Sequence, residues 1–451
     1  MLKLIFKIIL LNTFICVGGV YASTTQQQLQ VMLRDLGHDP GPIDGDPGPR
    51  TEEALNEFFL KFDLEPQNIG FNLIDQVYRI YQAETGKNVV HLNAETLSSG
   101  NVQSDHPFLS RDVSFPQTVF GDLKAIRKLN NSNEYWLNGC SYNDKLVKEK
   151  RFNGIVKPLI YPKTTEAGKR LRENLSVLTM DVMINDSSQS RERLTRLLYD
   201  QAKVDSHRWF NGSNTQYSNY VDGFALKENI LAIMPAWSVL MSESNISDDE
   251  FVVIDDWIWR ILQRIDLAFS PEFDGRVNNT NHRFQTAVIL MQAAIIAKSE
   301  YFLHRTLVEL LRLQENQNQY GVIHWELARK EKALGYVALV NQSMFAIAEM
   351  GLKLGFDFYR DDLLNYSDAM NLYYQGIRQP ALIEEMTGYR QVKIGKWRYL
   401  AAVPICQRLP ELENCSRAYE FKMGYLEINM HFTGMYNSCT FALSQKAEEL
   451  Q

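Results

Sequence analysis

The sequence is poor in cysteine and histidine, and the few that it has are not spaced as metal ligands. Its 451 residues include five cysteines and eight histidines. No Cys-x-x-Cys or His-x-x-x-His pair occurs, and pairs of this kind are typical of zinc sites. We therefore predict a protein that uses no metal ion and no other cofactor.

Positive charge is also scarce. Lysine and arginine number 47 against 54 aspartates and glutamates, which gives a formal net charge of −7. Nucleic-acid-binding domains usually carry a basic surface, so we predict no nucleic-acid partner. A negatively charged substrate would need a local positive groove in an otherwise acidic protein.

Long apolar runs are lacking as well. The run at residues 8–20 follows Lys3 and Lys7 and is short for a membrane span. It ends in a small-residue cleavage pattern at Ala22. We predict that residues 1–22 are a cleaved signal peptide and that the mature protein is periplasmic, with no membrane attachment.

What remains has an ordinary globular composition, 45% apolar and 22% charged, and is long enough for more than one domain. Residues 24–84 carry helical patterns around a Gly/Pro/Asp-rich turn. Residues 85–135 are rich in Ser, Asn, Asp and Pro without a sustained period, which is typical of a linker. Residues 136–447 form the predicted large domain.

The 24–84 segment predicts a small helical unit. Apolar residues recur at helical spacing before Gly37, which suits a helix end. Thr51-Glu52-Glu53 then starts a second helix. The segment resembles the peptidoglycan-binding-like three-helix module, and the resemblance implies peptidoglycan as a possible partner. The matching residues are Leu29, Leu33, Leu36-Gly37, Ile43-Asp44-Gly45, Gly48, Thr51, Ala54-Leu55 and Phe58.

The large domain reads as successive helices. Residues 284–298 are apolar nearly all round, which predicts a buried helix, whereas residues 301–315 are apolar on one side. This alternation favours an all-α fold of helical hairpins with an inner and an outer layer, although periodicity alone also allows a generic bundle. The predicted helices are 165–183, 190–205, 220–241, 251–269, 284–298, 301–315 and 326–354.

Four polar side chains near these helices form the candidate catalytic set: Asn281, His282, Arg329 and Tyr336. The first two lie at a predicted helix start, where free backbone N–H groups favour anions. If 326–345 is helical, Arg329 and Tyr336 share one face, about 10 Å apart along the axis. The alternative is structural, with a helix cap, a solvated cation and a core aromatic.

These residue types suit proton abstraction beside a carboxylate. The hydrogen α to an ionised carboxylate is barely acidic, since its removal adds a second negative charge. An amide and a guanidinium aimed at the carboxylate oxygens offset that charge. A phenol and an imidazole can move the protons. The set therefore favours β-elimination on an acidic sugar.

Two stretches, "TNHRF" and "IHWELARKEKALGYVALVNQSMFAIAEMGLKLGFDFY", resemble polysaccharide lyase family 5, the mannuronate-specific alginate lyases. The similarity covers roughly residue 140 to the C-terminus. It implies an incomplete α/α toroid, with Asn281 and Arg329 neutralising the substrate carboxylate and Tyr336 and His282 moving protons. Mannuronate has its C5 hydrogen and O4 on one ring face, so one tyrosine could serve as base and acid.

The sequence departs from the family pattern near these positions. Thr280 stands where the family has asparagine, Phe284-Gln285 replaces Tyr-Trp, and Val337-Ala338-Leu339 replaces a polar triplet. These changes keep two alternatives open. One is a catalytically inactive, wall-docked glycan-binding protein on a lyase fold, and the other is a lyase for another uronan.

Further residues are candidates for binding the acidic polysaccharide. Arg208, Trp209 and Lys227 fall in the region that lines the cleft in similar lyases, and Arg283 follows His282. Tryptophans between helices are more often core residues.

Four cysteines remain after signal cleavage, and an even number in an exported protein predicts disulfides. Three pairings are possible, and we favour Cys406–Cys415 together with Cys140–Cys439.

Overall fold

The computed structural model describes residues 24–89, 109, 113–131, 165–207, 217–243, 246–268, 280–360, 363–393 and 408–409. Within these ranges the chain is helical apart from turns and one isolated bridge between Gln317 and Ile323. The predicted signal peptide and all five cysteines lie outside the described residues. The helices are α1 Thr25–Asp35, α2 Pro49–Lys61, α3 Phe71–Thr85, α4 Leu123–Asn131, α5 Thr165–Asn185, α6 Ser188–Lys203, α7 Tyr217–Ser242, α8 Asp248–Ala268, α9 Asn281–Ala297, α10 Glu300–Glu315, α11 His324–Leu327, α12 Ala333–Lys353, α13 Tyr366–Arg378 and α14 Pro380–Thr387.

Helices α5 to α13 form an incomplete α/α toroid, which the family resemblance implies, and it is built of the layered hairpins that the hydrophobic pattern favours. The inner helices α5, α7, α9 and α12 contact one another in that order, and each packs against an outer partner, namely α6, α8, α10 and α13. The inner helix α9 is buried along almost its whole length, and so is α12. The start of α9 and the start of α12 lie side by side, which places the candidate site at one end of the inner layer.

Part of the predicted linker belongs to the toroid. Residues 113–131 include α4, which packs against α5. Phe120 and Ile126 are buried, and the Val119 N–H donates to Ser238 Oγ on α7 at 2.9 Å. The polar composition of residues 85–135 therefore gave no sign of the packed segment at 113–131. This segment lies against α5 and α7.

The three helices α1 to α3 form the small N-terminal unit. Its Gly/Pro/Asp turn is organised by the buried amide of Gln30. Gln30 Oε1 accepts from the Gly45 N–H at 2.8 Å, and Gln30 Nε2 donates to Asp44 Oδ1 at 3.2 Å and to the Asp46 carbonyl at 3.1 Å. Gly45 has φ +81°, a conformation that L side chains rarely adopt. This explains why the turn uses Gly and Asp.

A buried ion pair joins the N-terminal unit to the toroid. Arg305 on α10 pairs with Asp266 on α8 at 2.7 Å, and both side chains are almost fully buried. The same carboxylate accepts from the N–H and the hydroxyl of Thr25 on α1, both at 2.6 Å. One carboxylate thus ties the first turn of α1 to two outer helices.

Aromatic contacts extend this interface. Phe71 of α3 packs edge-on against Trp259 of α8 and Phe302 of α10. The Tyr78 hydroxyl lies 2.7 Å from Nδ1 of His304, and it accepts from the Val89 N–H. The N-terminal unit is therefore packed against the toroid through both apolar and polar contacts.

None of the helices described is long and apolar enough to cross a membrane.

We expect Asp266→Asn to destabilise the protein. The substitution removes the charge that faces Arg305 inside the interface, and breaking a buried pair in this way costs about 3–5 kcal/mol. The measurement is urea unfolding at pH 7. Asp256→Asn, which removes the exposed partner of Arg260 on the same helix, is the matched control and should cost at most about 1 kcal/mol. Equal losses in the two variants would contradict a buried anchor at Asp266.

Two buried histidines should make the protein less stable in mild acid. Burial lowers the pKa of His304 and of His207 to about 4, below the value near 6.5 in an unfolded chain. The unfolded state therefore takes up protons first. Stability is fully present above about pH 6.5 and falls toward pH 4, by about 1.4 kcal/mol per pH unit for each histidine.

The variant His304→Asn isolates one of these contributions. An asparagine oxygen can accept the Tyr78 hydroxyl bond but does not titrate. Urea unfolding of the variant between pH 7 and pH 4.5 should show a shallower loss of stability than the parent protein. Parallel curves would rule out His304 as a source of the acid sensitivity.

Candidate active site

The first turn of α9 holds two of the four candidate residues. Thr280 is the N-cap, with its side chain accepting from the His282 N–H. The Asn281 N–H donates to Glu326 Oε1 on α11 at 2.5 Å. The expectation of free N–H groups for a bound anion is therefore wrong for these two residues, since a carboxylate of the protein and the cap occupy them. The Asn281 side chain is itself buried beside the Glu326 carboxylate, and its amide helps to lower the pKa of Glu326.

The predicted continuous helix over 326–345 is interrupted. Helix α11 ends at Leu327, a 3₁₀ turn spans Lys330–Lys332, and α12 begins at Ala333. Lys330 adopts φ +56°, outside the helical region. The argument from helix spacing for Arg329 and Tyr336 was thus wrong, because the two residues belong to different elements.

Arg329 and Tyr336 nevertheless meet across this break. The Arg329 guanidinium carbon lies 4.7 Å from the centre of the Tyr336 ring, which is a cation–π distance. Arg329 Nε also lies 3.5 Å from Glu326 Oε2. Its side chain is 36% exposed, and Tyr336 is half-buried. Both side chains can therefore reach a ligand.

Glu326 connects the two halves of the site. Its side chain is fully buried, with one oxygen on the Asn281 N–H and the other facing Arg329. Burial raises the pKa of Glu326, and the Asn281 N–H and the Arg329 guanidinium lower it. The four candidate residues thus form one cluster, joined through a carboxylate that is not itself accessible.

His282 lies against Lys227 of α7, in hydrogen-bond contact between Nδ1 and Nζ. Burial, the Lys227 ammonium and the Arg329 guanidinium hold the pKa of His282 well below its usual value, against a hydrogen bond from the ring to Gln285 that raises it. Burial also lowers the pKa of Lys227, whereas the carboxylates of Glu228 and Glu326 raise it. The imidazole of His282 is therefore neutral at pH 7.

Of the four candidate substrate-binding residues, the structure describes Lys227 and Arg283. The predicted direct contact between Lys227 and the substrate is wrong, because Lys227 is 1% exposed and its side chain contacts His282. Arg283 is buried and pairs with Glu309 of α10, which removes it from the proposed substrate contacts. Arg208 and Trp209 lie outside the described residues.

Most departures from the family pattern have structural roles here. Thr280 caps α9 as an asparagine would. Phe284 is fully buried, and Gln285 hydrogen-bonds His282. Val337 and Ala338 are fully buried in α12. None of these changes removes a candidate catalytic side chain.

Two neighbouring residues of α11 were missed by sequence reasoning. Glu326 acts through contacts with residues 45 positions away, which no local pattern reveals. Trp325 is 46% exposed, whereas Trp237, Trp257 and Trp259 are buried. Its position directly before Glu326 on an exposed helix is the available signal, because exposed aromatics often mark binding surfaces.

The described residues contain no group of three or more His, Cys, Asp or Glu side chains placed to hold a metal ion.

Comparisons with known proteins bear on the fold. No family model matches the sequence, and no curated protein matches it significantly. Solved structures do match. A tyrosine-to-phenylalanine variant of alginate lyase A1-III, complexed with a tetrasaccharide, superposes with a TM-score of 0.60 at 17% identity and covers 75% of this chain and 99% of its own.

Two further structures of the same enzyme agree. A histidine-to-alanine variant complexed with a tetrasaccharide gives a TM-score of 0.61 at 17% identity, covering 75% of this chain and 98% of its own. Alginate lyase A1-III from Sphingomonas species A1 gives 0.57 at 16% identity, covering 75% and 99%. The chain therefore has the α/α toroid fold of an alginate lyase, and a quarter of it has no counterpart there.

We expect two substitutions at Glu326 to behave differently. Glu326→Ala leaves the buried Asn281 N–H without an acceptor and should lower the free energy of unfolding by about 1–3 kcal/mol. Glu326→Gln keeps an acceptor oxygen and loses only the charge facing the partly exposed Arg329, so it should cost at most about 1 kcal/mol. Urea unfolding of both variants makes the comparison. If the glutamine variant were as unstable as the alanine variant, the Asn281 bond would not be the anchor.

Proposed function

We propose that this chain is a polysaccharide lyase that cleaves a uronate-containing glycan by β-elimination, with mannuronate-rich alginate as its substrate. The observation that carries the proposal is the cluster at the starts of α9 and α12. It combines the Arg329–Tyr336 cation–π pair, a neutral His282 and the buried amide of Asn281.

Each group has a task in the elimination. The partly exposed Arg329 guanidinium binds the carboxylate at C6 and stabilises the charge that develops as C5 loses its proton, and the buried Asn281 amide adds its dipole to the same field. The Tyr336 oxygen, as phenolate, takes the C5 proton, and the electron pair forms the C4–C5 double bond. The C4–O4 bond then breaks, and Tyr336 returns the proton to O4. The products are a new reducing end and an unsaturated sugar.

Charge supports an acidic substrate. Glu326 is buried and hydrogen-bonded, so it presents no accessible carboxylate, whereas Arg329 is partly exposed. In a chain of net charge −7, this gives the local cation that a uronate needs. The exposed Trp325 ring offers a face for stacking on a neighbouring sugar.

The fold neighbours support the same class. Two of them are variants of an alginate lyase that hold a tetrasaccharide, one altered at a tyrosine and one at a histidine. Export to the periplasm and binding of peptidoglycan by the N-terminal unit stay predictions from the sequence.

The test is incubation with polymannuronate while near-UV absorbance from the new double bond is recorded. Tyr336→Phe should reduce kcat by at least about 10²-fold, since it removes the proton carrier, and leave oligomer binding measured by calorimetry within a few-fold. Tyr389→Phe, at an exposed tyrosine that Lys330 approaches, is the matched control and should keep full activity.

Other outcomes separate the alternatives. Activity on a different uronan alone would keep the reaction and replace the substrate. No double-bond signal on a panel of uronans, together with measurable binding, would overturn the enzyme and favour a glycan-binding protein. Full activity of Tyr336→Phe would remove Tyr336 from its role.

A further inference from the structure

We infer that Lys227 is a positioning residue that holds His282 in the tautomer protonated at Nε2, so that the imidazole is neutral and its Nδ1 lone pair does not act as a base. The inference rests on the proposed lyase function and assigns one proton within that site.

The geometry of the pair carries the argument. Lys227 Nζ is in hydrogen-bond contact with Nδ1 of His282, and Lys227 is 1% exposed. Lys227 projects from the middle of the inner helix α7, and His282 sits in the first turn of α9. Helices α7 and α9 pack side by side, so the contact is fixed by two neighbouring inner helices.

The direction of the hydrogen bond follows from the donors available. An ammonium has three N–H groups and no acceptor, and a neutral amine still has two N–H groups. Lys227 can therefore donate to Nδ1 in either protonation state. Nδ1 can donate to Lys227 only if the amine is neutral. Only a hydrogen bond in which Nδ1 accepts is possible for both the charged and the neutral form of Lys227. In that arrangement the proton of the neutral ring is on Nε2.

The surrounding charges agree with a neutral imidazole. Arg329 and Lys227 both disfavour a charged imidazole, and Gln285 is the neutral group hydrogen-bonded to the ring. Glu228 and Glu326 favour a charge on Lys227. Two cations in contact repel at low dielectric, so a positive charge on Arg329 or Lys227 keeps the imidazole neutral.

This arrangement divides the labour in the elimination. With the lone pair at Nδ1 turned toward Lys227, His282 has no free basic nitrogen facing a sugar. Proton abstraction then falls to Tyr336, and the tautomer of His282 is fixed by Lys227 on one side of the ring. An orienting partner of this kind can matter greatly, since a histidine held in the wrong tautomer loses its catalytic role.

The direct test is nitrogen NMR on protein labelled with ¹⁵N-histidine, with the His282 signals assigned by comparison with His282→Gln. We expect the shifts of a neutral ring protonated at Nε2 in the parent protein at pH 7. A ring protonated at Nδ1, or a charged ring, would overturn the inference. This readout needs no turnover, so it stands even if no uronan is cleaved.

The kinetic test uses Lys227→Met, which keeps length and burial without an N–H donor. We expect kcat on polymannuronate to fall by about 10²-fold, with KM changed less than about threefold. Loss of the neighbouring cation also raises the pKa of His282, so the acid limb of the kcat/KM profile should move to higher pH. An unchanged profile would contradict the inference. Lys203→Met, at an exposed lysine of α6, is the control and should match the parent.

A second variant guards against a folding defect. Lys227→Ala leaves a gap the size of propylamine, and added propylammonium chloride should restore activity as its concentration rises. Tetramethylammonium chloride at equal ionic strength lacks an N–H donor and should not. Rescue by both salts, or by neither in a folded variant, would remove Lys227 from the positioning role.

Discussion

The buried carboxylate of Glu326 is the contact on which the site depends. One oxygen accepts the first N–H of α9 and the other faces Arg329. A helix start attracts negative charge because its N–H groups are unpaired, and here a side chain of the protein meets that demand. The result is that the cation of Arg329 stays near the amide of Asn281, although the two residues are 48 positions apart.

The fold was largely predictable from the sequence, because apolar periodicity is a local signal. The buried α9 and the one-sided α10 follow from their patterns. The break at Lys330 did not, since residues 326–345 contain good helix formers and no proline or turn pair to announce it. The four candidate residues were proposed from their types and from the family resemblance, whereas the helix spacing argued for Arg329 and Tyr336 was wrong. Glu326 and the role of Lys227 could not, because each acts through a partner on another helix.

The sequence also misjudged where the domain divides. Residues 113–131 read as linker, yet Phe120 and Ile126 are buried against the toroid. The N-terminal unit read as a separate module, yet its Thr25 shares a carboxylate with Arg305. Composition reports how polar a segment is on average, whereas packing depends on a few apolar positions. The buried apolar residues of the N-terminal unit, of residues 113–131 and of the toroid belong to one cluster.

The interface formed by Thr25, Asp266 and Arg305 has a consequence for biosynthesis. Thr25 is near the beginning of the polypeptide, and its partner Asp266 follows 241 residues later. A chain that emerges from its N-terminus folds its early segments before later ones exist. Helices α1 and α3 are therefore synthesised long before the helices that they pack against. Until those helices have been made, Phe71 and Tyr78 of α3 stay exposed. This apolar surface stays exposed until residues 259–304 have been added and have packed against it.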